Sequence, residues 1–224
     1  SLGAFDGGSS TVKREQLDFD LIRKYRDLFG RDARAADVVA LQEIGTKAAL
    51  ELIFPSDEYQ TIMSPRWVTD EFPEGKGDVH TAIAVRRGSG IQVIDTAHLA
   101  DLAVIHSDGR PTRAGTGALL EVGGQRFWFL SVHMKSSCAG TSGHHKNAHK
   151  SGDDNCETLW SQVPILAGWI TDKRNTGLPV IVAGDFNRRF RQYQEEGPVW
   201  KGLNGAAPDD PITDPWVVKH PISV

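Results

Sequence analysis

The sequence predicts an α/β fold in which strands buried on both faces end on polar, chemically capable side chains. Three apolar runs carry the prediction: Asp37–Leu41 before Gln42-Glu43, Arg126–Val132 before His133, and Val180–Ala183 before Gly184-Asp185. The last two are rich in β-branched or aromatic residues, and the third is continuously apolar, which suits a strand covered on both faces. Between them lie stretches with helical spacing, so strands and helices alternate as they do in layered folds.

Taken in order, residues 1–13 are small and polar and read as a loop. Leu17, Leu21, Ile22, Tyr25, Leu28 and Phe29 then recur at helical spacing, with Gly30 as a C-cap. After the first strand, Ala48–Phe54 read as a short helix stopped by Pro55. Residues 55–80 hold three prolines and Trp67 and are expected to form a long surface loop. Thr81–Val85 and Ile91–Ile94 read as a hairpin about Arg-Arg-Gly-Ser-Gly. A clearer hairpin joins Gly117–Val122 to Arg126–Val132 about Gly123-Gly124, a dipeptide suited to tight turns. Leu159, Val163, Leu166, Ala167 and Ile170 fall on one helical face; Pro164 inside that pattern predicts a kink or a start near it. Residues 191–224 are rich in Pro, Gly and Trp and end on His220-Pro221-Ile222-Ser223-Val224. No repeat or linker divides the chain, so a single domain over 1–224 is expected.

Composition excludes little. Of 224 residues, 39% are hydrophobic and 24% charged, ordinary for a globular protein. No apolar run approaches the roughly 18 residues of a membrane span, and Ser1–Ser10 lack the basic start and apolar core of a signal peptide. The expectation is a mature or never-targeted chain. A formal net charge of −4 argues against broad attraction to nucleic acid but leaves room for a local basic patch. The two cysteines, Cys138 and Cys156, flank a polar stretch. They suggest a disulfide staple worth about 3 kcal/mol for a loop of this size, and with it an oxidising compartment. Two separate buried thiols, or a zinc site with His144, His145 and His149, remain open alternatives, although the spacing matches no usual paired-ligand pattern.

At the centre of the chemistry is Leu178–Arg188, LPVIVAGDFNR. Gly184 marks a place needing positive φ or close approach to a ligand, and a period of two puts Asp185 and Asn187 on one side and Phe186 on the other. A simple turn with a capping Asp or Asn is the alternative. If the strand exits share one rim, Glu43, His133, Asp185 and Asn187 converge, with His220 from the last segment. A carboxylate for a hard divalent cation, an imidazole for proton transfer and an Asp/Asn pair to orient a nucleophile are the parts of metal-assisted phosphoester hydrolysis.

The runs D-V-V-A-L-Q-E (37–43), S-V-H-M-K-S (131–136) and V-A-G-D-F-N-R (182–188) together resemble the endonuclease/exonuclease/phosphatase superfamily, in its order and at similar spacing. H-M-K-S-S-C followed by Cys156 looks like a bacterial branch in which two cysteines bracket a loop. The likeness covers roughly residues 14–190. It implies a four-layer α/β sandwich with two packed sheets flanked by helices. It makes Glu43 the ligand of Mg²⁺ (or Mn²⁺ or Ca²⁺), and His133 a phosphate-contacting acid. Asp185 and Asn187 would align the attacking water and bind phosphate oxygen. Val218-Lys219-His220 stands where the family has Ser-Asp-His, so the resemblance implies for His220 a degenerate form of the closing base, with an accidental alignment as the alternative. Arg110, in G-R-P-T-R, is a further candidate for phosphate contact, set against a solvated loop arginine. The family's opening Asn-bearing strand has no match before Glu43. The implied activity is a phosphodiester hydrolase, foremost a monomeric secreted or periplasmic nuclease acting on DNA or RNA. A phosphatase or sphingomyelinase-type enzyme acting on a phosphorylated lipid or small molecule, and a non-catalytic binding module, are the alternatives. Selectivity is expected in residues 55–80 and 139–155.

Overall fold

The computed structural model describes residues 36–65, 79–138, 153–188 and 197–205. The helix predicted over Leu17–Phe29, residues 1–13, the histidines at 144, 145 and 149, and His220 lie outside them.

Four layers are built from these residues. A three-stranded antiparallel sheet has the order β1-β3-β2, from β1 (Val38–Ile44), β2 (Tyr59–Met63) and β3 (His80–Arg86). A four-stranded sheet has the order β4-β5-β6-β7, from β4 (Ile91–Thr96), β5 (Thr116–Val122), β6 (Gln125–His133) and β7 (Val180–Asp185). Alternation on β3 explains the stacking. Ile83 and Val85 meet Ala118, Leu120 and Phe129 between the sheets. Ala82 and Ala84 face the other way, toward Leu50 and Phe54, where helix α1 (Lys47–Ile53) ends. Beyond the second sheet, helix α2 (Asp154–Arg174) packs Leu159, Val163, Leu166 and Ile170 against Trp128, Leu130 and Val132 of β6. The predicted α/β class and the pair of packed sheets are what the structure shows.

Local signals explain the elements that came out as expected. Thr46 caps α1 by accepting the Ala49 N–H at 3.1 Å. Gly123 and Gly124 both have positive φ, 57° and 77°, which the tight β5–β6 turn requires. Asp153 caps α2 through Asn155 N–H and Cys156 N–H, and Lys173 and Arg174 complement its C-terminal end.

Four expectations are corrected. Residues 55–80 are not all loop, because β2 runs through Tyr59–Met63 and pairs with β3; the prolines at 55 and 65 bound this strand rather than interrupt it. The hairpin of residues 81–94 is not a hairpin. β3 pairs with β1 and β2, whereas β4 pairs with β5, so the turn at 87–90 carries the chain from one sheet to the other. Helix α2 does not begin near Pro164, since it runs from Asp154 to Arg174 with Pro164 inside it. Finally, Val180–Ala183 are not covered on both faces. Among the described residues β7 is the last strand of its sheet and Ile181 is 46% exposed, although Val180 and Val182 do pack toward α2. Two further elements had no signal in the periodicity: a 3-10 turn at Ala100–Leu102, and helix α3 (Pro198–Leu203), which lies against α2.

Candidate active site at the strand exits

β6 and β7 run parallel, in a register that pairs His133 with Asp185. This side-by-side placement puts an imidazole and a carboxylate at the same end of the sheet. Gly184 makes it possible: its φ is +138°, and a Cβ there would stand 2.1 Å from the Val132 carbonyl oxygen, so any side chain would push β7 off β6. The expected positive φ is there, and the close approach is to the β6 backbone.

The chain then turns within two residues. Asp185 Oδ1 accepts the Asn187 N–H at 2.7 Å, an Asx turn, and Asn187 adopts the left-handed region with φ 50°. Asn187 Nδ2 donates to the Met134 carbonyl at 2.8 Å, and Met134 N–H donates to the Asp185 carbonyl. The turn reading and the functional reading thus coexist, since the Asp/Asn pair both builds the turn and stands beside His133. Phe186 packs against the α2 core, on the side the alternation assigned to it.

Glu43 arrives from the other sheet. The β1–β3 register slips between Leu41 and Ile44, a bulge, and Glu43 sits inside it with φ 57°. Bulges of this kind re-aim a side chain. Neighbouring bonds fix the crossing of the two sheets: Gln42 Nε2 donates to Ser131 Oγ at 3.2 Å and Ser131 Oγ donates to the Leu41 carbonyl at 3.0 Å. One step deeper, Thr81 and Thr116 join hydroxyls at 2.8 Å, and Thr81 also donates to the Ala114 carbonyl. Thr81, Thr116 and Ser131 are fully buried, so this line of satisfied hydroxyls locks the sheets together beneath the rim.

Electrostatics bind the group together. Burial pushes the His133 imidazole below its usual range, Asp185 and Glu43 pull it back up, and Arg113 pushes it down again. Two of the sequence-predicted residues, Asp185 and Glu43, therefore act on a third, His133, and the Asn187 N–H is bonded to Asp185. His133 Nδ1 is buried and, among the described residues, has no hydrogen-bond partner. The only three non-glycine residues with positive φ among the described ones are Glu43, Ser137 and Asn187, each at or just past one of these strand ends. Strained backbone clustered in this way marks functional sites.

Arg110 is exposed on a turn, its N–H bonded to Asp108 Oδ1. Arg113, from the same G-R-P-T-R run, is the arginine whose charge reaches both His133 and Lys135. The available signal was position, because Arg113 stands just before a strand, as the other site residues stand just after one. Lys135, two residues past His133, has its ammonium disfavoured first by burial. Cys138 and Cys156 are joined, tying the β6 exit to the first turn of α2, and the described residues hold no free cysteine. No group of three or more His, Cys, Asp or Glu residues gathers as a metal site among the described residues. The donors are nevertheless right in kind for a hard cation, since Glu43 and Asp185 both act on the same imidazole and Mg²⁺ can be held by one or two carboxylates plus waters.

No protein-family model and no curated protein matches the sequence. Solved structures do match the fold. The human Nocturnin catalytic domain, solved with a bound sulfate anion, is 18% identical, with a TM-score of 0.52 over 84% of this chain and 62% of that one. An endonuclease/exonuclease/phosphatase from Bacteroides vulgatus is 19% identical, with a TM-score of 0.47 over 75% of this chain and 58% of that one. The chain shares its fold with the Nocturnin catalytic domain. A humanized D. rerio TDP2 is a further neighbour at 16% identity, with a TM-score of 0.49 over 81% of this chain and 62% of that one. The chain spans about three-fifths of the length of these structures, 62%, 58% and 62% respectively. In this fold the rim carrying Glu43, His133 and Asp185 is where strands of both sheets end together.

Proposed function

We propose that this chain is a divalent-metal-dependent phosphodiester hydrolase, foremost a nuclease acting on DNA or RNA in an oxidising compartment. One observation supports the reading: His133 and Asp185 are register partners where β6 and β7 end, and Glu43 sits in the bulge near the end of β1.

Each residue has a role its surroundings support. Arg113 offers a planar fork of N–H donors to the phosphoryl oxygens. Asn187 spends one amide hydrogen on the Met134 carbonyl, and its second serves a phosphate oxygen. Asp185, exposed and held by its own turn, orients the attacking water. His133, kept neutral by burial, donates a hydrogen bond to the phosphate; the anion raises its pKa, so in the complex it holds a proton for the leaving oxygen. Glu43, with Asp185 as second carboxylate, would hold Mg²⁺, Mn²⁺ or Ca²⁺, whose charge offsets that of the phosphoryl group when bound. His220 is kept in the proposal as a degenerate general base. The disulfide supports a secreted or periplasmic location, and no helix among the described residues is long and apolar enough to cross a membrane.

The test is hydrolysis of plasmid DNA, RNA, sphingomyelin and inositol phosphates with Mg²⁺ and with chelator. Cleavage of a nucleic acid that chelator abolishes is the expected result. Turnover of the lipid or inositol phosphates alone moves the assignment to a phosphatase or sphingomyelinase-type enzyme, and binding without turnover of any substrate identifies a non-catalytic module.

A further inference from the structure

Gln162 lies on the buried face of α2 between Leu159, Val163 and Leu166, and none of it reaches solvent. An aliphatic side chain at this position would cost nothing in desolvation, whereas a buried amide needs partners for its donors and acceptor. Gln162 has them. Nε2 donates to the Leu102 carbonyl at 2.8 Å and to Thr112 Oγ1 at 3.0 Å, and Oε1 accepts the Lys135 N–H at 2.8 Å. The Thr112 hydroxyl donates in turn to the Leu102 carbonyl at 2.8 Å.

One side chain therefore fastens two separate segments. The first leads from Leu102 to Thr112, whose next residue is Arg113. The second is the β6 exit, where Lys135 lies two residues past His133. The disulfide fastens that same exit to α2 a second time, three residues further on, through Cys156. Through this clamp Arg113, the residue after Thr112, is held next to the β6 exit, and its charge acts on His133 and on Lys135, on which Asp108 and Asp153 act as well.

We infer that Gln162 is a positioning residue that sets the spacing of Arg113 and Lys135 about His133, so that the two cations meet one phosphate-bearing ligand as a single face. The role rests on the phosphoesterase reading of His133, but it is readable without turnover. Gln162 touches no substrate, and its effect passes through the Thr112 hydroxyl and the Lys135 amide.

The test uses the full chain with Gln162→Met and, separately, Thr112→Val. Four quantities are read: thermal melting, hydrogen exchange at the Lys135 amide, affinity for inorganic phosphate by titration, and KM and kcat for bis(p-nitrophenyl) phosphate. Folded Gln162→Met should release the Lys135 amide to exchange. It should weaken phosphate binding and raise KM by about tenfold, with kcat within about threefold. Thr112→Val should move the same quantities in the same direction by less. Unchanged phosphate affinity and KM in folded Gln162→Met overturn the inference. If that variant does not fold, unchanged values in folded Thr112→Val overturn it equally. A wild type that binds no inorganic phosphate removes the cationic face itself. One that binds phosphate and weakens in both variants, yet hydrolyses nothing, upholds the positioning role and ends the phosphoesterase reading.

Discussion

At the scale of single residues the account turns on Asp185 and His133. Asp185→Ala should cut kcat/KM by about a hundredfold or more, the range for losing a group that positions the nucleophile. Loss of the bond to Asn187 N–H should cost only about 1 kcal/mol of stability. Steady-state kinetics beside urea unfolding separates the two, and an unstable variant with full activity in its folded fraction would reduce Asp185 to a turn former. His133 predicts a pH dependence. Burial lowers its folded pKa below the ordinary value of 6.5, so its contribution to stability is complete above that value and is lost as pH falls below it. Asp185 and Glu43 soften the loss and Arg113 sharpens it. Half-buried His98 is shifted the same way by burial and adds a parallel slope. Melting curves of wild type and His133→Asn from about pH 7.5 to about pH 5 should therefore differ, the variant losing less stability on acidification. Identical slopes would show that His133 is solvated. Glu43, His133, Asp185 and Asn187 were legible because each follows an apolar strand and falls within a motif. Arg113 was not, because G-R-P-T-R offers two arginines of equal chemistry and only the turn at 106–110 decides which one faces His133. Gln162 was hidden inside an apolar helical stripe that reads as plain core.

At the scale of elements, the close pairing of β6 with β7 carries the site. Gly184→Ala should destabilise by about 3 kcal/mol or more, because it meets both an unfavourable φ and the Val132 carbonyl. Gly123→Ala, at positive φ but in open space, should cost only about 1 kcal/mol. Chemical denaturation of the pair gives the comparison, and equal costs would mean that β7 can move away from β6. Strand existence was readable from continuous apolar or β-branched runs, and the Gly123-Gly124 hairpin from its turn chemistry. Strand partnership was not readable between β3 and β4. A short glycine turn serves a hairpin and a crossing between sheets alike, and what separates them is long-range: Ile83 and Val85 face the second sheet while Ala82 and Ala84 face α1. Tyr59–Met63 was missed because prolines near both ends of the strand suggested a loop through it.

At the scale of the whole molecule, two sheets present their strand ends on one rim, and the hydroxyls of Thr81, Thr116 and Ser131 hold that rim in register. The central claim is that this rim is a metal-assisted phosphoester site with Glu43 as its cation ligand. With so few carboxylates the cation should bind weakly alone and more tightly once a phosphate supplies further oxygens. The most direct measurement is the Mg²⁺ dependence of phosphodiester hydrolysis by wild type and Glu43→Gln after chelator treatment. The account predicts that activity vanishes without metal and returns as Mg²⁺ is added, and that Glu43→Gln needs about tenfold more Mg²⁺ or fails to recover. Hydrolysis indifferent to chelator, or a Mg²⁺ requirement unchanged in folded Glu43→Gln, would contradict it.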